Sequence, residues 1–208
     1  MHAPLRRLDE LAEIQTGLPV RSLVSRQQGG GVLVSALTPA SLKTDAEISP
    51  TAQDLIFAVA DLSPEHRHEV RPGDIYVTAK STAESMRCAI IADSWNGDQT
   101  PCFASSLIRI HVNGDDAVLP RYVHAWLSSP EGKAALYGES QSATNQLNLT
   151  ATSISNVRVP IPSLSDQRRI VEFLTHAETA HRCATEAANL RLQLAQEIAF
   201  SPLITSQP

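Results

Sequence analysis

The chain has no run of about eighteen consecutive apolar residues, which removes a membrane-spanning helix from consideration. Its N-terminus, Met1-His2-Ala3-Pro4-Leu5-Arg6-Arg7, leads into acidic residues instead of an apolar signal core, so a cytoplasmic address is expected. Cysteine is scarce: Cys88, Cys102 and Cys183 are odd in number and lie far apart. That spacing excludes a zinc knuckle or a redox pair, and all three are expected to be reduced and buried.

Catalytic signatures are missing as well. Gly29-Gly30-Gly31 lacks the Lys-Ser/Thr that completes a phosphate loop. Ser81, Ser105 and Ser106 have no flanking glycines of a nucleophile elbow. No Asn-Pro-Pro-Tyr type motif of a DNA adenine methyltransferase occurs. His66-Arg67-His68 offers two imidazoles at alternating spacing, but no cysteine or carboxylate arrangement beside it forms a metal motif. The expectation is a non-enzyme with no metal and no cofactor.

Net positive charge is absent too, the formal balance being -5. Sequence-independent DNA affinity comes from neutralising phosphates with Lys and Arg, which argues against bulk coating of DNA. The acids are unevenly spread, however. Residues 14–44 contain no Asp or Glu but do contain Arg21, Arg26 and Lys43, and residues 140–165 contain no acid but do contain Arg158. A local positive face and a merely neutral polar surface both fit these windows.

What is present is enough for a core: 208 residues at 42% hydrophobic content make one ordinary domain with an appendage. The opening apolar residues Leu5, Leu8, Leu11, Ala12 and Ile14 suit a short strand followed by a helical turn, or a bent strand. After the glycine triplet, residues 32–37 read as a short buried strand. Residues 49–70 read as loops and short pieces. Pro72-Gly73-Asp74 is a turn sequence ahead of a strand at 75–78, and a second strand lies at 88–92, with 79–87 as the joining loop. A third strand is expected at 103–112.

The period then changes to helical. Pro120 suits a first helical position, with Tyr122, Val123, Ala125, Trp126 and Leu127 as the apolar face. Ser129 caps a second short helix that begins at Pro130, and a polar loop at 138–148 precedes a strand at 157–161. The final helix opens at Ser163 as N-cap with Asp166 three residues on. Ile170, Phe173, Ala177, Ala180, Ala184 and Ala187 follow in steps of three and four, the spacing of a coiled-coil seam, and Leu190, Leu194 and Ile198 continue it with a local shift in phase. About 35 residues of helix correspond to roughly 50 Å.

These residues resemble a known family. Asn145-Gln146-Leu147-Asn148-Leu149-Thr150, Ser153-Ile154-Ser155-Asn156, Val159-Pro160-Ile161-Pro162 and Leu164-Ser165-Asp166-Gln167-Arg168-Arg169-Ile170-Val171 are similar to the end of a target-recognition domain and the start of the spacer helix in type I restriction-modification specificity subunits. Leu8-x-x-Leu11-Ala12-Glu13-Ile14-x-x-Gly17, Arg71-Pro72-Gly73-Asp74-Ile75, Ser105-Ser106-Leu107-Ile108-Arg109-Ile110 and Ser128-Ser129-Pro130-Glu131-Gly132 fall in the family's order upstream. The familiar subunit holds two recognition domains and two helices. No second copy of any patch is found here, so the chain is similar to one half.

The resemblance implies an α+β fold: a target-recognition domain (1–162) with a mixed or antiparallel sheet and short helices, a long coiled-coil-forming spacer helix (163–200) and a flexible tail (201–208). It also implies a homodimer, paired through Ile170, Phe173, Leu174, Ala177, Ala180, Ala184, Ala187, Leu190, Leu194 and Ile198, that reads an interrupted palindrome in double-stranded DNA. Methylation or cleavage would then come from a methyltransferase subunit and a restriction or translocase subunit. Three loops are expected to carry DNA contacts: 17–26 with Arg21 and Arg26; 80–87 with Lys80, Ser81, Thr82, Ser85 and Arg87; and 140–146 with Gln141, Thr144, Asn145 and Gln146. Arginine offers guanine a bidentate match, and Asn or Gln offers one to adenine. The alternative is an adaptor or scaffold whose helix mediates assembly without reading DNA.

Overall fold

Short runs rich in β-branched and apolar residues supply the strands: β1 (Leu5–Arg7), β2 (Ala12–Thr16), β3 (Val20–Arg21), β4 (Val32–Leu37), β5 (Glu47–Ile48), β6 (Ile56–Ala60), β7 (Ile75–Thr78), β8 (Lys80–Ser81), β9 (Cys88–Ile91), β10 (Cys102–Phe103), β11 (Leu107–Val112), β12 (Leu147–Asn148) and β13 (Arg158–Pro160). The helices are α1 (Pro120–Ser128), α2 (Pro130–Gly138), α3 (Ala151–Asn156) and α4 (Leu164–Ile204). A computed structural model of the chain describes residues 3–21, 31–43, 45–60, 65–96, 101–114, 117–140 and 146–204. It divides into two units, residues 1–167 and 168–208.

The first unit is built on a five-stranded sheet in the order β2-β11-β7-β9-β5, antiparallel except where β5 runs parallel to β9. Every residue of β7 and β9 is buried, as expected of central strands covered on both faces. α1 packs on β9, and its buried His124 ring hydrogen-bonds the Cys88 carbonyl at 3.1 Å. Pro120 stands in the first turn of α1, and the Ser129 hydroxyl caps α2 by accepting from the Gly132 amide at 3.1 Å. A second sheet, β10-β4-β6-β3, pairs β10 parallel to β4 and the rest antiparallel. Its apolar face, Val34, Ala36, Ala58, Ala60 and Cys102, packs with Leu18.

Several elements depart from the sequence reading. β6 occupies five residues of a segment expected to be loop, because its side chains gain their cover from β4 rather than from a local alternation. β8 and β12 lie inside two expected loops and form a ladder with each other. The strand expected at 103–112 breaks into β10 and β11, with residues 104–106 as a turn between different sheets. α3 is a further helix, capped by Thr150 and Ser153 hydroxyls that each bond the other residue's amide. β4 enters from an exposed end, Val32 and Leu33 being 40% and 49% exposed, before it is buried. Cys88 and Cys102 are buried as expected, and burial pushes the Cys88 thiol up to about 12. Cys183 is exposed, contrary to expectation, because it lies on α4 among exposed neighbours.

A charged cluster is buried in the five-stranded sheet. Arg109 of β11 is 2% exposed and Asp74, just ahead of β7, is 0% exposed. The Arg109 guanidinium donates to Gln15 at 3.0 Å, lies 3.8 Å from Asp74 and sits over the Phe103 ring at 5.7 Å. His111 approaches the other Asp74 oxygen at 2.7 Å, and the Tyr76 hydroxyl donates to the carboxylate at 3.3 Å. Burial pushes the Asp74 carboxyl up, while its bond to His111 and the Arg109 charge pull it back.

The first turn of α4 belongs to the first unit. The Ser163 hydroxyl accepts from the Asp166 amide at 3.2 Å and donates to its carboxylate at 2.7 Å, capping the helix as its sequence predicts. Gln167 is 0% exposed. Its side-chain amide donates to the carbonyls of Ala117 and Pro162 at 3.1 and 3.0 Å, and its carbonyl accepts from the Leu119 amide at 3.0 Å. The second unit continues α4, and its side chains are mostly exposed. Among the described residues no helix is long and apolar enough to cross a membrane.

Candidate functional site

Strand register decides which loops share an end of the five-stranded sheet. Thr16 closes β2 two residues past Ile14 and stands opposite Ile108, near the start of β11. Leu107 faces Thr78, the last residue of β7, and Val77 faces Cys88, the first of β9. The segments after β2, between β7 and β9 and before β11 therefore emerge together. Backbone bonds tie them: the Leu18 amide donates to the Phe103 carbonyl at 2.8 Å, Ser105 to Leu18 at 2.8 Å, and Ala79 to Ser106 at 2.9 Å. Gly17 is required at this crossing, since a Cβ there would lie 2.3 Å from the Ala104 oxygen.

The fourth segment reaches this end through β12. Leu147 stands opposite Ser81 and Asn148 opposite Lys80, and the Leu149 amide donates to the Ala79 carbonyl at 2.7 Å. Two loops singled out from the sequence, far apart along the chain, are thus joined at their bases. Lys80 is exposed, and Gln146 is exposed immediately ahead of β12. Ser81 is half-buried, and its enclosed hydroxyl has no hydrogen-bond partner among the described residues.

The other loop residues shape the segment. The Thr82 and Ser85 hydroxyls meet at 2.9 Å, and Ser85 Oγ also accepts from the Thr82 amide at 2.8 Å. Arg87 folds its guanidinium back on the loop, donating to the carbonyls of Glu84 and Met86 at 2.8 and 3.1 Å. Arg21 lies in β3 opposite Val59 of β6 and is half-buried, so it belongs to the second sheet. Arg26, Gln141, Thr144 and Asn145 lie outside the described residues.

The acid-poor windows are only partly positive in the fold. Lys43 pairs with Asp54 at 2.7 Å, which removes it from any open cationic face. Lys80 has no ion pair among the described residues, but Glu84 stands exposed in the same loop. Asn148 is a further polar residue at this end, outside the three loops singled out from the sequence. Its signal is the alternation Gln146-Leu147-Asn148-Leu149, exposed and half-buried residues taking turns with buried ones.

The histidine pair is occupied structurally. His66 pairs with Glu69, and His68 is buried 6.3 Å from the Phe103 ring, where burial pushes its pKa down. Among the described residues no group of three or more His, Cys, Asp or Glu is placed to hold a metal ion.

Comparison with known proteins agrees with this architecture. The chain is similar in fold to the HsdS subunit of Thermoanaerobacter tengcongensis, with 16% identity and a TM-score of 0.59, over 97% of this chain and 47% of that one. It is similar to the type I restriction-modification S subunit of M. genitalium, with 13% identity and a TM-score of 0.55, over 98% of this chain and 46% of that one. It also resembles a chain from a type I R-M system whose complex assembly and conformational transition have been described, with 18% identity and a TM-score of 0.56, over 96% and 43%. The chain spans less than half the length of these solved proteins. No curated protein matches it significantly in sequence. Residues 72–187, more than half of the chain and reaching from the turn before β7 into α4, match the type I restriction modification DNA specificity domain, and the chain belongs to that family.

Proposed function

We propose that this chain reads a DNA sequence on behalf of partner enzymes, through the sheet end where the 80–87 loop and the segment around Gln146 are joined. Family membership makes it a recognition protein and not a catalyst. The observation that carries the reading is the β8–β12 ladder, which sets Lys80 beside Asn148 and brings hydroxyl, amide and cationic side chains to one edge. Such side chains supply both phosphate contacts and base-edge hydrogen bonds. Arg21, Arg26, Lys80, Ser81, Thr82, Ser85, Arg87, Gln141, Thr144, Asn145 and Gln146 are the residues assigned to DNA, Thr82, Ser85 and Arg87 partly by shaping their loop.

In this reading residues 1–162 recognise DNA and residues 163–200 hold two copies together, so that a twofold dimer addresses two half-sites of an interrupted palindrome. The exposed apolar residues Phe173, Leu194 and Ile198 support the pairing. A cytoplasmic methyltransferase subunit, with a restriction or translocase subunit, supplies the chemistry. Selection of bound duplexes from a random pool, with and without the methyltransferase subunit, tests the reading. An enriched interrupted palindrome is expected. A dimer that enriches nothing under either condition would instead favour an assembly scaffold.

A further inference from the structure

The two faces of the second sheet meet different surroundings. Residues opposite each other in an antiparallel ladder share a face, so Val34, Ala36, Ala58 and Ala60 form one side, the buried one. The other side carries the row Leu33, Val59 and Arg21 across β4, β6 and β3, with Ser35 and Phe57 as the row beside it. On that side Leu37 and Val59 are buried, but Leu33 and Phe57 are 49% and 60% exposed. Diagonal neighbours of this kind lie roughly 7–8 Å apart, so an aliphatic and an aromatic side chain stand together in water.

Charge and size both bear on what covers them. β3, β4, β6 and β10 contain no Asp or Glu, and Arg21 is their single charged residue, in a chain of net charge -5. A polyanion therefore meets no carboxylate on these strands. Two partly exposed side chains also fall far short of the roughly 800 Å² that each partner gives to a standard protein interface, yet they are ample for one base. The strands hang, moreover, from the sheet end assigned to DNA. Leu18, ahead of β3, bridges Ala104 just after β10, and the Ala79 amide of the neighbouring segment donates to Ser106 in the same turn.

Building on the DNA-reading function above, we propose that Phe57 and Leu33 determine specificity by taking the C5 methyl group of a thymine in the major groove. The chemistry is restrictive. Neither side chain can donate or accept a hydrogen bond, and the thymine methyl is the apolar group that base edges present in that groove. Around Ser35 and Phe57 the sheet is two strands wide, because β10 pairs only with Ala36 and Leu37 of β4, and β3 only with Val59 and Ala60 of β6. The major groove admits a two-stranded ribbon of this kind. Arg21, in the row of Leu33, brings a cation assigned to DNA to the same face.

The test uses the full chain, with the methyltransferase subunit where selection requires it, on the duplex that selection enriches. Each thymine is replaced in turn by deoxyuridine, which pairs identically and lacks only the methyl. One replacement per half-site is expected to weaken wild-type binding about fourfold, the worth of one buried CH₂ group, and to leave Phe57→Ala unaffected. Leu33→Ala should lower the same sensitivity, and Phe57→Leu, which keeps an apolar contact, should retain it. Both positions are exposed, so melting temperatures should match the wild type. An enriched site that the wild type binds equally well with deoxyuridine at every thymine overturns the methyl contact and leaves DNA reading standing. So does a Phe57→Ala variant that releases the methyltransferase subunit with DNA binding unaltered, which would make the face a protein contact. A wild type that enriches no sequence overturns DNA reading itself, and this proposal with it.

Discussion

Leu147, 1% exposed, sits opposite Ser81 in a two-residue antiparallel ladder and thereby fastens one polar loop to another more than sixty positions away. A site assembled this way depends on burial at its base for the placement of the side chains above it. Truncation by Leu147→Ala should lower stability by about 2–5 kcal/mol and weaken DNA binding beyond what the unfolded fraction explains. Thermal melts and titrations on the same preparations separate the two effects.

The three described cations assigned to DNA are expected to act collectively. Replacing Arg21, Lys80 and Arg87 together by glutamine should weaken binding across all sequences and reduce the salt slope by roughly one for each phosphate left without its cation. Fluorescence anisotropy across a salt series gives the slope. An unchanged slope would remove these residues from the interface.

The Arg109 guanidinium has two carboxylates near it in the sheet, the buried Asp74 at 3.8 Å and the exposed Glu13 at 3.5 Å. Asp74→Ala removes the buried one of these partners from a guanidinium that is 2% exposed and leaves it Glu13, so the loss is expected at or below about 3–5 kcal/mol, the cost of a broken buried pair. Chemical denaturation should show this as a lower midpoint at an unchanged slope.

Acidification should destabilise the first unit in two windows. Burial pushes the pKa values of His68 and His124 below the ordinary 6.5, so the folded state disfavours protons that the unfolded chain binds. Their contribution is present above 6.5 and is lost as pH falls through the depressed folded values. Bonds from Lys43 and Thr51 hold Asp54 down to about 2 from 3.8, so its contribution persists above 3.8 and is lost between 3.8 and 2. Melts between pH 7.5 and 5 should show the first decline, and His124→Gln should flatten it.

Gln167 closes three backbone valences with one side chain. Its replacement by alanine leaves the Leu119 amide and the Ala117 carbonyl without that partner, at about 1–3 kcal/mol for each group left buried. Differential scanning calorimetry should record a fall of several degrees, since each kcal/mol moves the melting temperature by about 2–4 °C at this chain length.

These residues show which features can be read before folding. β7 and β9 are legible because their side chains are apolar on both faces and bounded by turn residues. Ser163 and Ser129 are legible as caps because the cap bond spans three residues. Lys80-Ser81 looks like loop, since two polar residues become a strand only when Leu147-Asn148 arrives alongside. Asp74 belongs to a turn, with Gly73 at a φ of 79° as such a turn requires. Its burial comes from Arg109 and His111, far downstream. Ile56–Ala60 is hidden for the same reason, its cover being β4. The long helix is legible in position, from its Ser163 cap and its helical spacing.

The pairing of β1 with β13, Leu5 opposite Pro160 and Arg7 opposite Arg158, sets a timetable for synthesis. β1 must wait for nearly the whole first unit to leave the ribosome before its partner exists, and β2 waits almost as long for β11. Contacts of such sequence separation slow folding and leave strand edges open in the meantime. Nascent chains that stop short of Pro160 therefore present an unpaired N-terminal edge, and these are the species that chaperones will meet.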